Sequence, residues 1–232
     1  MVDSTGPTVL AVVSGKGGVG KSVLSANLAL TWAMQGFRTA LVDADVGKGS
    51  CSLLLGREDR VTIVSPPADE SVPEMALAEL DARLAAVRAE HEFVVIDAPS
   101  GLGPAVRWAL DRADAGLMVI VDEPTAIADA YALCKLVWSH DSGYPLAGAV
   151  NLVDTEEEAA DVLTRFSDLT GHFLDRKILY GGWVPFSGAV RRSVRRQEGV
   201  VLSSEALADA FGRLGDRLRC GVFETTVPIS LN

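Results

Sequence analysis

A short glycine-rich segment constrains this chain more than any other feature. Residues 15–22 read GKGGVGKS; they follow an apolar, β-branched run at 8–13 and open a stretch with helical spacing at 21–35. Glycines allow backbone N–H groups to turn inward around phosphate oxygens, and the start of the following helix adds a favourable dipole. The pattern therefore predicts a phosphate-binding loop of the Walker A type. A glycine-rich turn without a ligand is the alternative.

The side chains of this loop predict which phosphates and which ion it binds. Lys21 is placed to reach the β- and γ-phosphates of a nucleoside triphosphate, and the Ser22 hydroxyl is placed to bind Mg²⁺. We expect ATP or ADP to be held by the whole segment, which comprises Gly15, Lys16, Gly17, Gly18, Val19, Gly20, Lys21, Ser22 and Val23.

Three aspartates follow apolar runs and are candidates for the magnesium site. Asp43 and Asp45 come after the run at 39–42, and alternation points them to the same side. Asp97 ends the run at 93–96. Carboxylates at the mouth of a phosphate site suit a Mg²⁺ shell and a water-orienting group. The alternatives are loop-capping acids for the first two residues and a helix N-cap for Asp97.

The alternation of apolar runs and helical patterns predicts the fold class. The runs lack polar alternation, which is typical of a parallel sheet covered on both faces. We expect one α/β domain over 1–232, with a core at 7–219, a tail at 220–232 and a mainly parallel, twisted sheet between two layers of helices. Strands are predicted at 8–13, 39–42, 93–96, 117–121, 146–150 and 178–184, the last interrupted by a glycine pair, and helices at 21–35, 76–89, 124–138, 156–169, 189–196 and 204–218.

Composition excludes several other classes of protein. The formal net charge of −10 argues against a general nucleic-acid or anionic-membrane binder. Three distant cysteines without a CxxC pair favour a reducing compartment and disfavour a disulfide framework or a zinc site. Cys51 is expected to be a small, half-buried residue. Residues 1–7 do not resemble a signal peptide, and no apolar run reaches the length of a membrane-spanning helix. We expect a soluble, cytoplasmic protein.

The lysine directly after the first glycine is unusual for a phosphate loop. With Lys16 in that position, GKGGVGKS resembles the deviant Walker A motif of the MinD/ParA ATPases, a family of the SIMIBI class of P-loop NTPases. The resemblance implies an ATP-dependent homodimer in which Lys16 reaches the partner's phosphates. It implies that Asp45 positions the attacking water, that Asp43 supports Mg²⁺ and its waters, and that residues 98–101 form switch II. The catalytic set is then Lys16, Lys21 and Asp45, and the metal set is Ser22, Asp43 and Asp97. An exposed loop lysine is the alternative for Lys16.

Two further segments resemble the FlhG (FleN, YlxH) branch of this family. They are EPTAIADAYALCK at 123–135, and the segment 184–197, which begins with VPF. The resemblance implies a slow, partner-stimulated ATPase that regulates the number or position of a cellular structure such as the flagellum, with an FlhF-type GTPase or a transcription regulator as partner. It also implies that Asn151 hydrogen-bonds adenine and that Pro185 packs on the base. Asn151 capping a turn and Pro185 ending a strand are the alternatives. Switch II, DAPSG, is nearer to MinD's form than to that of FlhG.

Two surface features leave alternatives open. Leu207, Phe211, Leu214 and Leu218 share one face of a predicted helix, which either docks on the sheet or makes a weak membrane contact at the inner membrane or cell pole. The cluster of Arg191, Arg192, Arg195 and Arg196 is a solvated face, a partner site or a DNA contact, and the net charge makes DNA the weakest of these. The rival functions are a ParA-type DNA segregation ATPase and a nucleotide-binding scaffold without turnover.

Overall fold

The structure is a computed structural model that describes residues 8–45, 50–56, 58–66 and 73–222. The expectations for residues 1–7, for residues 46–49 after Asp45 and for the tail from 223 onward concern residues outside these ranges.

Seven parallel strands form one sheet within the described residues, in the order β3-β2-β4-β1-β5-β6-β7. The observed sheet is parallel at every pairing, as the unbroken apolar runs predict. The strands are β1 (Thr8–Ser14), β2 (Thr39–Asp43), β3 (Val61–Val64), β4 (Phe93–Ser100), β5 (Ala115–Ile120), β6 (Leu146–Val153) and β7 (Leu179–Pro185).

Helices cover both faces of this sheet. They are α1 (Lys21–Met34), α2 (Ser50–Leu55), α3 (Pro73–Glu90), α4 (Pro104–Asp111), α5 (Pro124–His140), α6 (Glu156–Leu174), α7 (Gly188–Arg196) and α8 (Glu205–Arg217), with a short 3₁₀ turn (Val200–Leu202) and a π turn (Leu218–Val222). Alternate residues of β1 enter two separate cores, Val9 and Val13 into the one under α3 to α6, and Leu10 and Val12 into the one under α1 and α8. Both faces of a central strand are therefore apolar, which explains why its sequence does not alternate.

Three elements were not predicted from the sequence, and each is short. β3 has four residues at the edge of the sheet, α2 has six and α4 has eight. Such lengths contain too little periodicity to distinguish an element from a loop. Several boundaries were also wrong, because β4 continues to Ser100 and α6 to Leu174.

The glycine pair in the last strand does not interrupt it. The register passes from Gly148 opposite Tyr180 to Ala149 opposite Gly182, so that Gly181 is left without a partner as a bulge. Gly182 has φ +134°, a backbone conformation that side chains disfavour. The pair is thus accommodated within β7 as a bulge rather than as a break in the strand.

The last helix docks on the sheet, as one of the two alternatives predicted. Leu207, Phe211, Leu214 and Leu218 are all buried in the same core as Trp32 of α1. This apolar face is consequently occupied by the protein itself. No helix in the described part of the chain combines the length and the apolarity needed to cross a bilayer.

Strand order places the predicted site at one edge of the sheet. β4 lies between β2 and β1, and Asp43 is the register partner of Asp97. Ser100 at the end of β4 pairs with Ser14 at the end of β1, next to the phosphate loop. Because parallel strands end together, three segments distant in sequence meet there.

Candidate nucleotide site

The phosphate loop joins the end of β1 to the start of α1 and is packed closely from two sides. A Cβ on Gly15 would lie 2.3 Å from the carbonyl group of Asp129 in α5. Gly20 has φ +87°, and a Cβ there would lie 2.4 Å from the Asn151 side-chain nitrogen. Glycine is therefore required at Gly15 by close approach of backbone atoms, and at Gly20 by a left-handed backbone.

Lys21 points into the protein rather than toward solvent. Its side chain is 7% exposed, and its ammonium donates a hydrogen bond of 2.9 Å to Oδ1 of the fully buried Asp97. The hydroxyl of Ser25 donates to the same oxygen, also at 2.9 Å. Asp97 is thus held by a buried charge-assisted pair, and a phosphate would compete with it for Lys21.

Asp43 is fully buried beside Asp97. Its carboxylate accepts backbone N–H groups from Asp45 at 3.2 Å and from Cys51 at 3.0 Å. Burial and the neighbouring Asp97 raise the pKa of Asp43, while the two backbone hydrogen bonds oppose the rise. Two carboxylates in this position favour the approach of a cation.

Cys51 in α2 is the site residue that the sequence reading did not identify. It is fully buried, so the expectation of a half-buried residue is wrong. Its Sγ–H donates to Asp97 Oδ2 at 3.6 Å. Burial, followed by the charges of Asp97 and Asp43, raises the pKa of the thiol well above its ordinary value. Spacings of 8 and 46 residues from these aspartates give no signal that sequence reading could have used.

Lys16 lies at the surface of the loop, with 36% of its side chain exposed. Its ammonium contacts Glu123 Oε2 at 2.5 Å and donates to Thr125 Oγ1 at 3.0 Å. The EPT residues that suggested the FlhG branch therefore contact the lysine that suggested the family. The following residues of that motif form the first turns of α5, against which Gly15 packs.

Asn151 and Pro185 lie at the ends of β6 and β7, on the α1 side of the loop. The amide nitrogen of Asn151 donates to the carbonyl oxygen of Val19 at 2.8 Å, so Asn151 braces the phosphate loop. Leu152, directly after it, has φ +65°, a strained conformation for leucine. Pro185 lines a mainly apolar cavity of about 220 Å³, shared with Gly20, Val23, Asn151, Phe186, Val190 and Arg191.

The remaining predicted residues at this edge of the sheet are Ser22, Asp45 and switch II. Ser22 lies in the first turn of α1 and Asp45 just beyond β2, both half-buried. In switch II, the backbone N–H of Gly101 donates to the carbonyl oxygen of Ser14 at 2.9 Å. The structure thus brings Lys21, Asp43 and Asp97 into one cluster and keeps Lys16 apart from it.

Fold and site together define a P-loop NTPase: a parallel sheet, a phosphate loop after its central strand, and paired acidic residues on the neighbouring strands β2 and β4. Comparisons with known proteins agree. Residues 7–87 match the family model described as ParA: NUBPL iron-transfer P-loop NTPase. The chain is 31% identical over 220 residues to the antiactivator FleN of Pseudomonas aeruginosa, covering 83% of this chain and 78% of that protein. It is 24% identical to the flagellum site-determining protein YlxH of Helicobacter pylori, covering 93% of this chain and 82% of that protein.

Solved structures agree on the fold. MinD of Pyrococcus horikoshii, complexed with Mg-ADP, superimposes with a TM-score of 0.74 at 19% identity, covering 96% of this chain and all of that one. MinD in the MinC:MinD complex of Aquifex aeolicus superimposes with a TM-score of 0.69 at 22% identity. The superposition covers 97% of this chain and 98% of that one. The chain belongs to the ParA/MinD family of P-loop ATPases, and within it to the branch that includes FleN and YlxH. It is an ATP hydrolase.

Proposed function

We propose that this protein is a magnesium-dependent switch that binds ATP, dimerises face to face around it, and separates after hydrolysis. In this role it regulates the number or placement of flagella, which the name of its relative YlxH, the flagellum site-determining protein, supports. Its protein partner binds at the dimer or switch surface. The name antiactivator favours a transcription activator as that partner, with an FlhF-type GTPase as the second candidate.

The observation that carries the proposal is the divergence of the two loop lysines. Lys21 is buried on Asp97, whereas Lys16 is at the surface and is held only by the side chains of Glu123 and Thr125 among the contacts described. One lysine is sufficient to neutralise the phosphates inside a subunit. Lys16, a second lysine of the phosphate loop that is exposed at the surface, is suited to bind the phosphates of a nucleotide held by another subunit.

The residues around the loop support Mg²⁺-nucleotide binding. Backbone N–H groups of residues 15–23 would donate to the phosphates, and Lys21 would exchange Asp97 for phosphate oxygens. Asp43, Asp97 and the Ser22 hydroxyl would hold Mg²⁺, directly or through its waters. Asp43 and Asp97 are two buried carboxylates beside a single lysine, and a divalent cation would balance their remaining negative charge. Bound Mg²⁺ stabilises the charge that develops on the transferred phosphoryl group. Asp45 orients the attacking water.

The adenine base is assigned to the cavity beside the loop. Pro185 and Val190 supply apolar surface, and Phe186 at the rim is largely exposed and available for stacking. Asn151 uses one amide hydrogen on Val19, which leaves its second amide hydrogen and its oxygen for the base. The same residue thereby couples occupancy of the base site to the shape of the phosphate loop.

The test is an ATP-trapped dimer. In Asp45→Ala, hydrolysis is blocked and the dimer is expected to accumulate with ATP on size-exclusion chromatography, while ADP leaves the protein monomeric. Adding Lys16→Ala to that variant should return it to a monomer that still binds ATP by calorimetry. A monomeric Asp45→Ala protein at saturating ATP would contradict the dimer mechanism, and a lack of ATP affinity would contradict the whole proposal.

A second candidate, nucleotide-gated DNA binding, is favoured by the placement of α7. Its four arginines, at 191, 192, 195 and 196, are all exposed, and Arg191 also lines the cavity beside the loop. Binding of the trapped dimer to nonspecific duplex DNA, weakening with salt and lost when the four arginines are replaced, would support it. A flat titration at low salt would leave the flagellar role as the better assignment.

A further inference from the structure

Three side chains that can bind a metal ion meet in the interior of the protein. They are the carboxylates of Asp43 and Asp97 and the thiol of Cys51, each with no exposed surface. One ligand atom from each lies within 4.8 Å of the other two. Among the described residues, it is the one group of three or more His, Cys, Asp or Glu side chains whose ligand atoms lie this close together. The thiol distinguishes it from a site built of oxygen atoms alone.

The contacts around the cluster divide between the two oxygens of Asp97. Lys21 and Ser25 both bind Oδ1 of Asp97, so that Oδ2 faces the Cys51 thiol. The cluster contains two carboxylates and one ammonium group, Lys21. Buried charges in proteins are paired or coordinate metals, and a divalent ion supplies the positive charge that the second carboxylate requires.

The distances suit a small ion with a thiolate ligand. Zinc lies about 2.3 Å from thiolate sulfur and about 2.0 Å from carboxylate oxygen, which places two tetrahedral ligand atoms about 3.5 Å apart. Cys51 Sγ and Asp97 Oδ2 are already 3.6 Å apart. All ligand-atom separations in the cluster are within 4.8 Å, so a shift of about 1.3 Å or less brings each pair to that spacing.

We propose that Asp43, Cys51 and Asp97 bind a thiophilic divalent cation such as Zn²⁺ in the nucleotide-free protein. The Cys51 thiol gives its proton to solvent, and a sulfur–metal bond forms in place of the S–H bond. Oxygen ligands suit Mg²⁺ and thiolate suits Zn²⁺, so Cys51 shifts the preference of this cluster toward the softer ion. Because Asp43 and Asp97 are also the residues proposed to support Mg²⁺, the two ions exclude each other, and Zn²⁺ opposes loading with Mg²⁺ and ATP.

The experiment uses Co²⁺, alone and without nucleotide, as a spectroscopic probe in the full chain. Coordination by thiolate is expected to give a charge-transfer band in the near ultraviolet, which added Zn²⁺ should remove by taking the same ligands. Cys51→Ser, which keeps the size of the side chain but replaces the sulfur, should abolish the band. The matched control is the double variant Cys134→Ala and Cys220→Ser, which leaves Cys51 as the remaining cysteine and should retain the band.

Each arm of this experiment decides the proposal. Absence of the band in the unaltered protein, its persistence in Cys51→Ser, or its loss in the control variant would overturn it. If Cys51→Ser does not fold by circular dichroism, the control variant still decides, since Cys51 is then the only thiol that can give the band. Nucleotide is absent throughout, so failure of the ATP-dependent dimer would not alter these results.

Discussion

Lys16 and Glu123 form an ion pair that ties the phosphate loop to the residue preceding α5. The ammonium also donates to Thr125, so both contacts come from one segment of the same chain. A lysine engaged in this way is unavailable to a second subunit. The proposed dimer around ATP therefore requires the pair to open, and the pair would oppose that dimer by the free energy of its formation.

Replacing Glu123 with Gln is expected to favour the ATP-bound dimer. The ion pair between Lys16 and Glu123 is exposed, and such pairs contribute up to about 1 kcal/mol. Because about 1 kcal/mol is about a fivefold change in an equilibrium constant, each pair removed should lower the protein concentration needed for dimerisation by up to about fivefold. Analytical ultracentrifugation in the Asp45→Ala background measures this shift. Glu92→Gln removes another exposed ion pair, with Arg38, and should leave the dimer constant unchanged. A weaker dimer in Glu123→Gln would show instead that Glu123 positions Lys16 for the partner.

The two loop lysines are expected to differ in their effect on stability. Lys21→Ala leaves Asp97 buried without its partner and should lower the free energy of unfolding by about 3 kcal/mol. Lys16→Ala removes an exposed pair and should change it by less than about 1 kcal/mol. Urea unfolding without nucleotide, followed by circular dichroism, compares them. Equal losses in the two variants would contradict the assignment of Lys21 to a buried pair.

Gly15 is expected to tolerate no side chain, whereas Gly17 in the same loop tolerates one. In Gly15→Ala the added Cβ meets the Asp129 carbonyl group, and α5 has to move; overpacking of this kind costs about 1–3 kcal/mol. The nearest atom to a Cβ on Gly17 would be Ser100 Oγ at 3.3 Å, a hydroxyl that can give way. Thermal unfolding should separate the two variants. A Gly15→Ala protein as stable as Gly17→Ala would mean that α5 is not held against the loop.

The three cysteines are expected to differ sharply in reactivity. Burial raises the pKa of Cys134 to about 12 and that of Cys51 well above its ordinary value, and the thiolate is the reactive form. Cys220 is exposed. Iodoacetamide at about pH 8 should therefore label Cys220 in the folded protein, and all three cysteines in denaturant. Peptide mapping by mass spectrometry reads this out; rapid labelling of Cys51 in the folded chain would show that its pocket opens.

The phosphate loop and the class of fold were determined by the sequence alone. Backbone turns around phosphate need glycine at fixed local spacing, and strands buried on both faces need unbroken apolar runs. Both requirements are therefore visible as continuous patterns in the sequence. The docking of α8 was likewise one of the two alternatives that its apolar face predicts. The edge strand β3 and the short helices α2 and α4 left no comparable record, because few of their residues repeat at a fixed period.

What surrounds the loop was decided by the tertiary structure. Lys16 meets Glu123 across 107 residues, and Asn151 meets Val19 across 132. Cys51 joins two aspartates only because α2 places it beneath the ends of β2 and β4. Sequence reading finds residues whose chemistry depends on their neighbours along the chain. Partners brought together by the order of strands in a sheet are fixed by packing, and no local pattern records them.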